Sequence, residues 1–216
     1  TICFLDYKKK NSPNTVQIIV SPASLMYNWK VEIEKFAPSL KTHIYHQSNR
    51  NIEDLATNQA DVLITSYGTA RADIELLEGL QFSTIVLDES HNIKNPSAQI
   101  SQAVLRLRAD SKIILSGTPI MNNTMDLYPQ LSFILPQLFG SQEFFAKEYV
   151  HPIDRDKDKD KIDQLKRATS PFILRRTKEQ VAKDLPKKTE SILWCEMKNG
   201  QRRYYDEVKD SIKKSL

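Results

Sequence analysis

The chain has 216 residues, of which 40% are apolar and 27% charged, with a formal net charge of +4. That composition suits one generous globular domain, or a domain with an appendage, and excludes a mainly disordered chain. No stretch approaches the roughly 18 unbroken apolar residues of a membrane-spanning helix, and Thr1–Leu5 runs straight into Lys8-Lys9-Lys10 without a signal-peptide layout. Two cysteines, Cys3 and Cys195, make neither a disulfide framework nor a metal cluster, which points to a reducing, intracellular setting. Of the five glycines, no two lie close enough to build a glycine-rich phosphate cradle.

In chain order, four short apolar runs rich in β-branched residues read as strands: Val16–Val20, Asp61–Thr65, Thr84–Asp88 and Lys112–Ser116. They are continuously apolar, as in a parallel sheet covered on both faces. Between them, Ser24–Phe36 carries Leu25, Trp29, Ile33 and Phe36 on one helical stripe, with Ile52–Gln59 and Ser97–Leu107 as further helices. The alternation predicts a doubly wound α/β sheet, whose ligands sit at the carboxyl ends of the strands. Beyond Pro119 the pattern changes to helices at Leu127–Leu138, Gln142–Tyr149, Ile162–Ala168 and Gln201–Lys214, with one late strand at Glu190–Glu196. A boundary is therefore expected near Asn122, giving an α/β layer over residues 1–121 and a helical extension over 122–216.

Charge divides the chain in the same way. Residues 1–140 hold 12 basic and 13 acidic side chains, whereas residues 141–216 hold 19 and 14. Eight basic residues lie between Lys166 and Lys188, opposed only by Glu179 and Asp184. A basic stripe of this kind suits a polyanion, and it equally suits a solvated helix face.

Two strand ends concentrate the chemistry. Ile85-Val86-Leu87 runs into Asp88-Glu89, and an acid at the tip of a buried strand calls for a partner because unpaired burial is costly. In phosphoryl transfer such a pair divides into a Mg²⁺-holding acid and a water-polarising one; the alternative is a surface turn that begins with two acids. Ile113-Ile114-Leu115 breaks into Ser116-Gly117-Thr118-Pro119, which by itself is an ordinary strand-to-loop turn. His43, His46 and His151 have no metal-ligand spacing.

Taken together, these segments resemble the Swi/Snf-type ATPases, the DNA-translocating and chromatin-remodelling branch of helicase superfamily two. Ile18–Pro22 with Asn28-Trp29 is similar to motif Ia, Ile64–Tyr67 to motif Ib, Asp88-Glu89-Ser90-His91 to motif II, and Leu115–Ile120 with Asn122-Asn123 to motif III. Pro171–Lys178, with Val181 and Leu185–Lys188, resembles a stretch diagnostic of this branch. The resemblance implies an incomplete RecA-like P-loop NTPase sheet with a helical, family-specific extension. It implies an ATP-dependent motor on double-stranded DNA, with ATP and Mg²⁺ as cofactors.

By the same resemblance, Asp88 coordinates Mg²⁺ and Glu89 activates water, while His91, Ser116, Gly117 and Thr118 couple nucleotide state to lobe movement. Ser21, Thr65 and Ser66 face the DNA phosphates, and Arg175, Arg176 and Lys178 belong to the basic family-specific region. Arg175 and Arg176 read equally as anchors between helices, and Trp29 reads as a core residue. Expected partners are double-stranded DNA, DNA-bound proteins or RNA polymerase, with no membrane. The location would be cytoplasmic and nucleoid-associated in a bacterium, or nuclear in a eukaryote.

The sequence departs from the family pattern in two places. Ser90 stands where the family has alanine, and the phosphate loop expected just upstream of Thr1 is missing, so this chain alone is expected to be inactive. Loss of the strand leading to that loop is expected to leave Lys112–Ser116 as a bare edge that recruits a second copy. A strand-separating helicase or restriction-type motor, and a catalytically silent binding module, are the competing readings.

Overall fold

Each apolar run becomes a strand because it can be buried on both sides. Among the described residues of the computed structural model (1–47, 50, 60–117, 123–181, 184 and 189–215), β1 (Gln17–Ser21), β2 (Thr42–Tyr45), β3 (Val62–Ser66), β4 (Gln81–Leu87) and β5 (Arg108–Ile114) form one sheet. The order is β2-β3-β1-β4-β5, and every pairing is parallel. Successive residues of the central strands feed opposite cores, as the period of two requires. Ile18, Val20, Leu63 and Ile85 join one core, and Ile19, Val62, Ile64 and Val86 the other.

The second core is closed by Leu5 of α1 (Ile2–Asn11) and by Met26 and Ile33 of α2 (Met26–Phe36). The first is closed by α3 (Tyr67–Ala72), α4 (Ile74–Leu77) and α5 (Gln99–Arg106). Phe133 of α6 (Leu127–Ile134) is fully buried in that same core, which fastens the helical segment to the sheet. A third apolar cluster joins Leu131 and Phe139 to Phe145 of α7 (Gln142–Phe145) and Leu165 of α9 (Lys159–Thr169). The path between those two helices is a π-turn, Ala146–Val150, followed by α8 (His151–Asp154). Gly140 turns into this cluster at φ +67°, where an added Cβ would lie 2.9 Å from the Phe144 ring.

The first compact unit therefore runs from Thr1 to Pro171, and the second from Phe172 to Leu216. The boundary expected near Asn122 lies outside the described residues. The second unit contains α10 (Lys178–Val181) and α11 (Asn199–Ser215). The strand expected at Glu190–Glu196 is absent: residues 189–198 have no regular structure, and Ile192, Leu193 and Trp194 are 79–88% exposed. Their apolar side chains have β propensity, but no partner strand is described in that unit to complete a ladder. The helix expected at Ile52–Gln59 lies outside the described residues. Among the described residues no helix is long and apolar enough to cross a membrane.

One polar chain ties the turn after β4 to α6. Ser90 is fully buried, and its hydroxyl donates to Gln130 Oε1 at 2.8 Å, while Gln130 Nε2 donates to the Asp126 carbonyl at 2.9 Å. The Ser90 backbone N–H in turn donates to the Leu115 carbonyl at 3.1 Å, joining the turns that follow β4 and β5. Two outcomes are expected in urea denaturation. Phe133→Ala should cost about 3–5 kcal/mol, the range for deleting a buried aromatic ring. Ser90→Ala should cost about 1 kcal/mol, the net value of one buried hydrogen bond.

Candidate functional site

The register brings the strand ends to one rim. Ser21 pairs with Ser66, and Val20 pairs with both Thr65 and Leu87, so Asp88 leaves the sheet beside the end of β1. At this rim the buried strands stop and backbone groups lose their ladder partners, so polar side chains can gather there.

Asp88 is held at every polar atom. Its backbone N–H donates to the Val20 carbonyl at 2.9 Å, and its own carbonyl accepts from the Tyr67 hydroxyl at 2.8 Å. Carboxylate Oδ1 accepts the Glu89 backbone N–H at 2.9 Å, and Oδ2 accepts the Trp29 indole N–H at 2.8 Å. Burial raises the Tyr67 phenol far above its ordinary range, with Asp88 and Glu89 adding to the effect, so it remains an O–H donor. Each Asp88 oxygen keeps an unused lone-pair direction for an incoming cation.

Glu89 adopts the left-handed region, at φ 50° and ψ 54°. For a side chain of this size that backbone costs of the order of 1–3 kcal/mol, the kind of strain that gathers at functional sites. The strain lets the chain turn sharply after β4 and leaves the Glu89 carboxylate partly exposed. His91 Nδ1 lies 3.3 Å from Glu89 Oε2 but makes no formed hydrogen bond, so the two are in contact without being locked. Ser116 is half-buried and Gly117 exposed with open space around it, and Thr118 lies outside the described residues.

The donor set fits a hard divalent cation. One or two carboxylates completed by phosphate oxygens and water is the arrangement Mg²⁺ prefers. Among the described residues no group of three or more His, Cys, Asp or Glu forms a protein-only metal cage. Asp88 would hold the ion, and Glu89 stands next to it.

The residues expected to face DNA phosphates are placed differently from one another. Ser21 and Thr65 are fully buried; the Thr65 hydroxyl donates to the Tyr45 carbonyl at 2.9 Å, and that of Ser21 lies 3.3 Å from the Pro22 carbonyl. The Thr65 hydroxyl is thus spent inside the sheet, and the Ser21 hydroxyl lies beside the residue that follows β1. Ser66 lies nearer the surface and caps α3, accepting the Thr69 backbone N–H at 3.1 Å. The Thr69 hydroxyl stands 2.9 Å from Ser66 Oγ and 2.7 Å from His46 Nδ1. Arg175 and Arg176 are exposed in the second unit, and Lys178 begins α10 there.

Sequence reasoning missed two members of the site. The helical spacing of Trp29 places it on the core stripe of α2, and it packs, partly buried, against that core. The polar edge of that ring reaches Asp88 from 59 residues away, a contact that spacing does not encode. Tyr67 lies inside the segment resembling motif Ib, and nothing in that segment marks its hydroxyl as a partner of Asp88.

The model of the SNF2-related domain matches residues 1–215. The putative ATP-dependent helicase/translocase YwqA of Bacillus subtilis is 38% identical over 215 residues, covering 97% of this chain and 23% of that protein. The ATP-dependent helicase FUN30 of Saccharomyces cerevisiae is 33% identical over 224 residues, covering 95% of this chain and 20% of that protein. Among solved structures, the Sulfolobus solfataricus SWI2/SNF2 ATPase core in complex with double-stranded DNA superposes with a TM-score of 0.76 at 34% identity. That match covers 100% of this chain and 46% of the other. The chain thus spans about a fifth of the length of these two curated relatives. Its parallel sheet, its acid pair at the end of β4 and the match along nearly its whole length place the chain in the SNF2-related family of Swi/Snf-type ATPases.

Proposed function

We propose that this chain forms part of an ATP-driven motor that moves on double-stranded DNA and displaces or remodels proteins bound to it. The observation that carries the reading is the Asp88–Glu89 pair, with one acid pinned at both oxygens and the other set free on a strained turn. Its support among similar proteins is a relative named as a helicase/translocase and a structural neighbour solved on double-stranded DNA.

In this reading Asp88 holds Mg²⁺, which when bound neutralises charge developing on the transferred phosphoryl group. Glu89 accepts a proton from water as the water oxygen bonds to the γ-phosphorus and the bond to the bridging oxygen breaks. His91, touching Glu89, and Ser116, Gly117 and Thr118 transmit the change to the rest of the motor. The bond between Ser90 N–H and the Leu115 carbonyl joins the segment that follows β4 to the one that follows β5. Arg175, Arg176 and Lys178 of the second unit supply contacts to DNA phosphates. Such contacts position the duplex without reading its sequence. The outer edge of β5 offers a second copy a place to add a strand, which light scattering of this chain would detect.

In the whole protein, Glu89→Gln should lower DNA-stimulated ATP turnover by about 10²–10⁴-fold, the usual contribution of a positioned base. Unchanged turnover would remove the acid pair from the mechanism. Replacing both Arg175 and Arg176 by alanine should weaken DNA binding alike for all sequences. The slope of log affinity against log salt should become shallower by about 1–2, because each lost phosphate contact removes roughly 0.9 from it. A strand-displacement assay separates translocation from unwinding: protein removal from duplex DNA without strand separation is the expected result.

A further inference from the structure

We infer that Trp29 is a positioning residue for the cation-binding acid, holding Asp88 in the orientation that presents its free lone pairs to the metal. The inference rests on the reading of Asp88 as the cation ligand. An indole N–H can only donate, so its partner must be an acceptor, and Asp88 Oδ2 at 2.8 Å is the partner it has. The ring that carries this N–H is not free to follow a wandering carboxylate. It sits on α2, partly buried, packed against the core that covers one face of β1, β3 and β4.

The opposite oxygen is held by the Glu89 backbone N–H, so a rotation of the Asp88 carboxyl about its own axis would break two hydrogen bonds at once. Tyr67 fixes the Asp88 carbonyl from the other face of the sheet. Helices from both layers therefore converge on one acid, α2 on its side chain and α3 on its backbone. In this arrangement Trp29 acts through Asp88. Any shift of α2 along the sheet changes the direction in which Asp88 Oδ2 is pulled, which links the packing of the second core to the affinity of the metal site.

The test is made in the whole protein with Mn²⁺ as the probe in the presence of ADP, binding being read by electron paramagnetic resonance. Trp29→Phe keeps an aromatic ring on α2 and removes the donor. It should weaken Mn²⁺ binding by about 10–100-fold, the range for losing a group that orients a metal ligand. Replacing Trp29 with benzothienylalanine, which keeps the shape of indole and lacks the N–H, should do the same, and it remains informative if the phenylalanine variant folds poorly. Incorporating 7-azatryptophan, which retains the N–H, should restore binding. If either donorless variant binds Mn²⁺ as the unmodified protein does, the inference is wrong and Trp29 serves packing alone, visible as a lower Tm only. Asp88→Asn separates this failure from that of the underlying reading. If the Asp88→Asn protein still binds Mn²⁺ normally, Asp88 is not the ligand and both fall; if it loses the ion while the donorless variants keep it, only the role of Trp29 falls.

Discussion

Burial of the three inner strands on both faces is the constraint from which the rest follows. β1, β3 and the inner part of β4 have no solvent face, so no charged group can be accommodated along them without a partner. Polar chemistry is driven to the rim where the strands end. There the same packing that excludes charge becomes an asset, because helices already fixed by apolar contacts hold their polar edges still. Trp29 and Tyr67 are both of this kind: each carries an aromatic body in a core and a donor at the rim. The acid pair is positioned by hydrophobic packing acting at second hand.

The parts of this arrangement legible in the sequence are those that depend on local pattern. β1, β3 and β4 stand out because continuous β-branched runs have few other uses, and the Asp88–Glu89 pair stands out because it ends one of them. β2 escaped notice because Thr42-His43-Ile44-Tyr45 is only half-buried along most of its length and looks polar. The early part of β5 escaped for the same reason: Arg108-Ala109-Asp110-Ser111 alternates at the sheet edge, so only its apolar end was recognisable. Helices α3 and α4 are too short for a 3.6-residue period to show.

The site residues divide along the same line. Residue type and order make Asp88, Glu89 and His91 candidates, yet they do not say which way a hydroxyl points. Thr65 and Ser66 are neighbours on one strand, and the pleat sends one hydroxyl to the carbonyl of β2 and the other to the cap of α3. Adjacent positions of like chemistry thus acquire different roles, and only the fold decides between them. Long-range pairs such as Trp29 with Asp88 and Ser90 with Gln130 are a property of the closed structure, since neither partner advertises the other.

The left-handed backbone at Glu89 has a consequence for how such a chain can change. Glycine, and to a lesser degree asparagine, occupy that region of φ and ψ at little cost, whereas glutamate is strained there. Exchanging the acid for glycine would therefore relax the turn while discarding its carboxylate. Thermodynamic drift and the retention of an acid pull in opposite directions at this single residue, so a lineage with no use for the carboxylate would slide toward a sturdier form without it.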